Sequence, residues 1–379
     1  MEPTVLQNAL RSPRHPVSSV SCQAQRELFL VPCGFREEGS LISSEVARWA
    51  LTRQRLTVLL VVISSILWFS ASRARAAEKI RVAYPAVAPG LTPSWITAEA
   101  GIWRKYGLDV ETILVSGGAR AVPALISNSV QFLMGSDTGV TTARLQGLPV
   151  VRVGVTTNTL GSSLLTQHTI QSVGDLKGKT LGISRGRDAS YIRLAKLLRD
   201  HGLNPNEDVK FLALGGGEGG RLSALKAGVI QGTMLFPPLD LIARNEGLKV
   251  LEKFDVPTPG GGINTTAALL KQNRAMVINF LKGYMEGIHY MAQHKDHSLK
   301  ILQRYFQNSD TTAMGYLYDE TTRRLEKDLR ASQESIRFHL ELAALDDPRA
   351  AKLGEKDFWD ASVVEEIRRS GFIDQLYKK

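Results

Sequence analysis

Four short polar clusters in this 379-residue sequence contain the residue types that bind a charged or polar small molecule. Each cluster follows a hydrophobic run and precedes a stretch of helical pattern. N–H groups at a helix N-terminus carry partial positive charge and attract anions, whereas a carboxylate in such a cluster would attract an amine. Each cluster can also simply cap its helix, and this alternative stays open. The clusters are Ser116-Gly117-Gly118, Ser136-Asp137-Thr138, Gly186-Arg187-Asp188-Ala189-Ser190 and Gly217-Glu218-Gly219.

Other chemistries have weaker support in the sequence. Residues 215–220 match the G-x-G-x-x-G pattern, but five glycines in six residues satisfy many glycine patterns. Glu286, His289, His294 and His297 could be imagined as metal ligands, but only one Glu-x-x-His is present where a carboxylate-bridged dimetal site needs two. No G-x-S-x-G nucleophile motif occurs. We therefore expect no catalytic residue, metal or cofactor.

The spacing of apolar residues and glycines predicts two α/β units that would position these clusters. Short strands that alternate with helices are typical of a largely parallel sheet, because parallel neighbours need crossover connections. From residue 260 the composition changes, and a strand at 264–270 is followed by mostly helical sequence to Lys379. The first unit has predicted strands at 79–86, 109–115, 130–134 and 149–155, and helices at 93–106, 120–127 and 136–147. The second has strands at 180–184, 209–214 and 232–236, and helices at 188–202 and 221–228.

Charge and hydropathy exclude several classes of protein. The net charge is +10, but nine Lys or Arg residues lie in the first 76 residues, and the remainder has 38 basic and 32 acidic residues. No basic block with interleaved aromatic residues follows, so we predict no nucleic-acid partner. No apolar run reaches the roughly 18 residues that a membrane-spanning helix needs, and we expect a soluble protein.

The first 76 residues predict export. Three arginines precede the 14-residue apolar run Leu56 to Phe69, and Ala74-Arg75-Ala76 provides a small-x-small cleavage pattern. We interpret residues 48–76 as a signal peptide and residues 1–47 as a leader of doubtful status, explained by a start codon assigned too far upstream. Both cysteines, Cys22 and Cys33, precede the predicted cleavage site. The mature chain would then have no disulfide, no thiol nucleophile and no lipid anchor.

Five segments carry a likeness to a known family. They are KIRVAYPA from Lys79, AEAGIWRKYGLDVE from Ala98, SGGARAVPALISNSVQFLMGSDTG from Ser116, DLKGKTLGIS from Asp175 and RLSALKAGVIQGTMLFPP from Arg221. With them, nearly the whole mature chain resembles the periplasmic solute-binding proteins of ABC importers, in the nitrate, sulfonate, taurine and thiamine-precursor class.

The resemblance implies a two-lobed periplasmic-binding-protein fold of type II, with a mostly parallel sheet in each lobe and a helical C-terminal region. Residues 77–167 and 258–379 would form lobe I, and residues 168–257 would form lobe II. A monomeric protein in the periplasm would close over a small anionic or zwitterionic solute and deliver it to a membrane permease with its ATPase. The resemblance assigns to the cleft Trp95, Ser116, Gly117, Ser136, Asp137, Thr138, Arg187, Ser190, Glu218 and Phe236.

For Trp95, the alternative that it packs between helix and sheet instead of lining the cleft stays open.

Two alternatives to the receptor role also stay open at the level of sequence. An enzyme could share the fold, but the branch that makes the thiamine pyrimidine depends on a cysteine-rich motif that the mature chain lacks, and the branch that dehydrates chorismate-derived acids is cytoplasmic. An exported receptor that serves a sensor is the other alternative.

Overall fold

The computed structural model describes residues 77–116, 118–184 and 189–378. The predicted leader and signal peptide lie outside these ranges, as do Gly117 and Arg187. The described residues belong to one compact unit. Within the described ranges, no helix combines the length and the apolar character needed to cross a membrane.

Strands and helices alternate over the first two thirds of the described chain, and helices dominate the last third. The strands are β1 Glu78–Tyr84, β2 Leu108–Leu114, β3 Phe132–Met134, β4 Val150–Gly154, β5 Thr157–Thr166, β6 Thr180–Ile183, β7 Lys210–Ala213, β8 Gly232–Leu235, β9 Lys249–Gly260 and β10 Ile263–Thr266. The α-helices are α1 Thr92–Glu99, α2 Gly118–Ile126, α3 Asp137–Leu145, α4 Ala189–Asp200, α5 Gly217–Lys226, α6 Leu239–Asn245, α7 Ala267–Gln272, α8 Arg274–Gln293, α9 Lys295–Phe306, α10 Thr311–Thr322, α11 Gln333–Asp346, α12 Glu355–Phe358, α13 Ser362–Arg369 and α14 Phe372–Tyr377. Short 3-10 helices cover Pro89–Leu91, Ile102–Tyr106, Val173–Leu176 and Pro348–Lys352.

The strands form two five-stranded sheets with the same arrangement of strand directions. The first has the order β2-β1-β3-β10-β4 and the second β7-β6-β8-β5-β9. In each sheet one strand, β10 or β5, is antiparallel to both of its neighbours, so the other four strands point the same way. The predicted two-lobed α/β fold is confirmed, and each sheet is mixed, with two parallel and two antiparallel strand pairs. We call the elements on the first sheet the first lobe and those on the second sheet the second lobe.

Both faces of the first sheet are covered, because its strands are apolar on both sides. In β1, Ile80 and Val82 face a core shared with the long helix α8, whereas Ala83 faces a separate core under α2 and α3. On the α8 side, the rings of Phe132 and Phe280 stack with centroids 3.9 Å apart. The C-terminal helices therefore belong to the first lobe, since they complete its larger core.

The second sheet is also buried between helices. Helix α4 places Leu194, Leu197 and Leu198 on one face of the sheet, as its 3-4 spacing of apolar residues predicts. Helices α5 and α6 cover the other face, where Leu225 and Ala243 are fully buried. Each lobe thus has its own core.

Two neighbouring segments connect the lobes. The chain leaves the first sheet after β4, and it returns between β9 and β10. Thr156 donates its backbone N–H to the carbonyl of Gly260 over 3.0 Å, and its hydroxyl to the carbonyl of Gly261 over 2.8 Å. Gly261 has a φ of +61°, and a Cβ there would overlap the Gly90 carbonyl oxygen, so this position needs glycine.

Several elements differ from the sequence-based expectations. Strand β5 falls within 77–167, the range predicted for lobe I, but it pairs in the second sheet. The expected strand at 264–270 ends at Thr266, because the Thr266 side chain accepts the N–H of Leu269 and caps α7. Strands β5 and β9 and helix α6 were not predicted. Apart from the position of β5, the predicted lobe boundaries stay a prediction.

Candidate ligand-binding cleft

A cleft of about 650 Å³ lies between the two lobes. It is lined by segments that follow the carboxyl ends of β1, β3 and β8, where open α/β sheets bind ligands, and by the two connections and the start of the helical region. The lining residues are Pro85, Ala86, Val87, Ala88, Pro89, Gly90, Leu91, Gly135, Ser136, Asp137, Thr157, Leu160, Arg193, Glu218, Gly219, Phe236, Pro237, Pro238, Leu239, Ile242, Thr258, Pro259, Gly260, Gly261, Phe306, Asn308 and Met314.

Ser136 in the first lobe combines backbone strain with an unused hydroxyl. It precedes α3 with a φ of +57°, a left-handed conformation that is uncommon outside glycine. Its side chain does not cap the helix, and its buried Oγ has no hydrogen-bond partner among the described residues. Strained residues of this kind concentrate at ligand sites, and the free hydroxyl can donate to a ligand or accept from one.

Asp137 is held by a buried arginine. The Arg152 guanidinium, which is fully buried in β4, lies 3.1 Å from Asp137 Oδ1 and also donates to the Asp137 carbonyl over 3.3 Å. Gly262 adds a backbone N–H at 3.2 Å. Burial raises the pKa of the Asp137 carboxyl, against the opposing effects of Arg152 and Gly262. The main role of Asp137 is therefore structural, because its ion pair with Arg152 holds the first turn of α3 in place.

Glu218 provides the acidic group of the second lobe. It lies in the first turn of α5 and accepts the backbone N–H of Phe236 over 3.1 Å. Burial raises the pKa of the Glu218 carboxyl, while that hydrogen bond and the positive charges of Arg221 and Arg193 oppose the rise. Arg221 lies beneath and is tied to the Met234 carbonyl over 3.2 Å. Asp240 is a second carboxyl near Glu218 and adds to the rise in its pKa, so two arginines and two carboxyls lie around this part of the wall.

Arg193 brings a positive side chain to the cleft wall. It lies on α4, is 6% exposed, and its guanidinium carbon is 5.2 Å from the centroid of the Phe236 ring. Guanidinium groups recognise carboxylates and sulfonates through their N–H groups, and they also pack on aromatic faces. Among the described lining residues, it is the one with a positive charge.

The structure brings four of the predicted site residues together: Ser136, Asp137, Glu218 and Phe236 all line the cleft. The others lie elsewhere or outside the described residues. Ser116 and Thr138 are exposed and lie outside the lining. Gly117 and Arg187 are not among the residues described.

Trp95 and Ser190 are placed behind the site. Trp95 is fully buried and stacks on Tyr305 at 4.6 Å, with the edge of Phe306 6.0 Å away. It supports the cleft through Phe306 and does not itself line it, which is the packing alternative. Ser190 is 6% exposed, and its Oγ accepts the backbone N–H of Ser184 over 2.9 Å, so this hydroxyl fixes the turn after β6.

Sequence reasoning missed most of the apolar wall. The loop from Pro85 to Leu91 follows the first predicted strand, and its Pro/Gly content at the end of a strand was the signal that could have identified it. Arg193, Phe306 and Met314 gave no local signal, because each belongs to an ordinary amphipathic helix. Only the packing of α4, α9 and α10 brings them to the cleft.

The described residues contain no group of three or more His, Cys, Asp and Glu side chains arranged to hold a metal ion. The cleft offers apolar surface, two carboxyls, one arginine, hydroxyls and exposed helix N-termini. Such a lining can bind and enclose an organic molecule with a polar group.

Comparison with known proteins agrees with this geometry. The chain is 32% identical over 119 residues to a binding protein of Brucella abortus, a match that covers 31% of this chain and 36% of that protein. It is 25% identical over 201 residues to the riboflavin-binding protein RibY of Chloroflexus aurantiacus, covering 52% of this chain and 57% of RibY. The matched segment thus spans about a third of the Brucella protein's length.

Among solved structures, the periplasmic aliphatic sulphonate binding protein SsuA of Escherichia coli superposes with a TM-score of 0.60 at 18% identity, over 76% of this chain and 91% of SsuA. This likeness concerns the fold. The family model described as NMT1/THI5 like matches residues 88–298, which include most of the residues that line the cleft. The chain belongs to the NMT1/THI5-like family.

Proposed function

We propose that the protein is the substrate-binding component of an ABC importer and that it captures an anionic or zwitterionic organic solute, of which a sulfonate is the expected type. The observation that carries this proposal is the cleft of about 650 Å³ whose walls come from both lobes. A ligand in such a cleft contacts both lobes at once only when they are close together. Binding therefore shifts the population toward the closed form.

Electrostatics support an anionic group on the ligand. Arg152 pairs with Asp137 in the first lobe, and in the second lobe Arg193 is the positively charged residue among the described residues that line the cleft. The N-terminus of α3 adds partial positive charge and free N–H groups beside Ser136. A zwitterion could also place its amine near Glu218.

Native mass spectrometry of the exported protein, purified without refolding, tests the proposal. A co-purified small molecule should be present, and sulfonates, nitrate, aromatic acids and pyrimidines should then be compared by thermal shift. A ligand at 100 times its Kd adds about 2.7 kcal/mol to the unfolding free energy. The bound protein should also show a smaller radius of gyration in small-angle scattering.

Three results of these measurements would contradict all or part of the proposed function. An unchanged radius of gyration with a saturating ligand contradicts the closure mechanism, even if binding occurs. Turnover of a bound compound would instead favour an enzyme on the same fold. Absence of any ligand or thermal shift across all classes contradicts the role in solute capture.

Export and delivery to a permease are parts of the same proposal. N-terminal sequencing of the periplasmic fraction should give a chain that starts at Ala77, and light scattering should give a monomer. The ligand-loaded protein should stimulate the ATPase of its permease complex in proteoliposomes, whereas the unloaded protein should not. A sensor-linked receptor would bind its ligand without that stimulation.

A further inference from the structure

We infer that the ligand is a bulky organic anion, with a mostly apolar, ring-sized body between the lobes and one anionic group at Arg193. This inference rests on the proposed binding function and narrows it. It excludes nitrate, taurine and other ions of similar size as the main ligand.

The volume of the cleft is the first argument. At about 30 Å³ per water molecule, 650 Å³ holds on the order of 20 waters. Nitrate or taurine would fill a small fraction of this space and leave apolar walls wet. Sites that enclose drug-sized organic ligands span roughly 300–1,000 Å³.

The walls are the second argument. Both lobes present hydrophobic side chains, with Leu91, Phe306 and Met314 on one side and Phe236, Leu239 and Ile242 on the other. The Phe306 ring packs edge-on against Trp95, which in turn stacks on Tyr305, so this wall is preformed. A small hydrophilic ion gains nothing from such surfaces, whereas a ring buried between them gains free energy in proportion to the apolar area removed from water.

The distribution of charge is the third argument. Among the described lining residues, Arg193 alone is positively charged, and its guanidinium carbon lies 5.2 Å from the centroid of the Phe236 ring. A ligand with one charged end would place that end at Arg193 and stack its body near Phe236. The lining predicts an amphipathic anion better than a uniformly polar one.

The test uses ligands that differ in one property. Naphthalene-2-sulfonate and methanesulfonate share the anionic group and differ in the body, and naphthalene-2-sulfonamide shares the body without the charge. Calorimetry should show naphthalene-2-sulfonate binding about 100-fold more tightly than methanesulfonate, because of the buried ring. It should bind about 10-fold more tightly than the sulfonamide, because of the charge-assisted hydrogen bonds.

Variants assign these differences to residues. Arg193→Gln should weaken naphthalene-2-sulfonate about 10-fold and leave the sulfonamide nearly unchanged. Arg199→Gln on the exposed face of the same helix removes an equal charge and should change neither. Ile242→Asn should weaken both naphthalene compounds and spare methanesulfonate, with melting curves showing that each variant is folded.

Equal affinity for methanesulfonate and naphthalene-2-sulfonate overturns the inference, as does an Arg193→Gln variant that binds like the wild type. Tight binding of nitrate or taurine without binding of the naphthalene compounds also overturns it, but leaves the proposed function intact. If no compound of either series binds, the inference fails, and the co-purified mass decides the proposed function separately.

Discussion

Buried polar residues beside the cleft connect its first-lobe wall to the C-terminal helices. His339 on α11 is 5% exposed, and its Nε2 lies 2.8 Å from the Thr141 hydroxyl on α3. Burial, together with the positive charge of Arg152, lowers the pKa of His339 to about 3. The Arg152 guanidinium lies 4.2 Å over the Phe358 ring, so one small cluster joins α3, β4, α11 and α12. The orientation of the Ser136–Asp137 turn depends on this cluster.

This burial of His339 predicts an acid sensitivity. The unfolded chain binds a proton below pH 6.5 that the folded chain does not take up until about pH 3, so stability falls as the pH falls through that window. Between pH 7.5 and 5.0 the loss due to His339 should be about 2 kcal/mol. Urea unfolding of His339→Gln should show a pH dependence weaker by that amount.

The matched control is His168→Gln, because it removes an exposed histidine that lies away from this buried cluster. If His339→Gln loses stability on acidification as steeply as the wild type, then another group carries the effect. Glu218 affects the pH dependence of stability in the opposite direction. Because its pKa is raised in the folded state, its contribution to the unfolding free energy is lost as the pH rises.

At the scale of elements, the close crossing of α1 and α8 holds the large core of the first lobe together. Gly287 of α8 has no room for a side chain, because a Cβ there would lie 2.8 Å from the Cβ of Thr97. Thr97 is fully buried and donates its hydroxyl to the Pro93 carbonyl within α1, so it cannot move aside. The glycine allows the two backbones to approach.

Gly287→Ala should therefore destabilise the protein by about 1–3 kcal/mol, although alanine favours helix. Gly315→Ala on α10 is the matched control, because a Cβ there meets nothing within 4 Å. It should stabilise the protein by up to about 1 kcal/mol. Urea unfolding of both variants checks the pair, and a stabilised Gly287→Ala would show that the helices can separate without cost.

At the scale of the whole molecule, a hydrogen-bond network joins the lobes beside the cleft. Tyr316 on α10 of the first lobe donates its hydroxyl to Asp240 on α6 of the second lobe over 2.8 Å. Asp240 is 2% exposed and also accepts from the Ser163 hydroxyl, and Lys253 donates to the Tyr316 oxygen over 3.0 Å. These contacts can exist only while the lobes are close, so in the proposed closure mechanism they would stabilise the closed form.

Tyr316→Phe should shift the protein toward the open form. A hydrogen bond to a charged group contributes about 1.5–3 kcal/mol, so ligand affinity should fall by about 10-fold or more. The radius of gyration of the unliganded variant should rise. The measurements are calorimetry and small-angle scattering.

Tyr318→Phe is the control for that variant. It removes a hydroxyl from the same helix, but its partner is the Met291 carbonyl, 2.6 Å away within the first lobe. It should lower stability and leave affinity unchanged. Equal affinity losses in both variants would contradict an interlobe role for Tyr316.

The sequence by itself determined the order of the βαβ units, the polar turns after the strands and the family likeness, because these depend on local periodicity, glycine positions and short motifs. It could not determine β5 and β9, since their partners lie far along the chain and β9 carries charges and two prolines in an edge position. It identified Ser136, Asp137, Glu218 and Phe236 but not Arg193, Phe306 or Met314. Those three come from ordinary helices, and only the packing of the two lobes brings their side chains to one cleft.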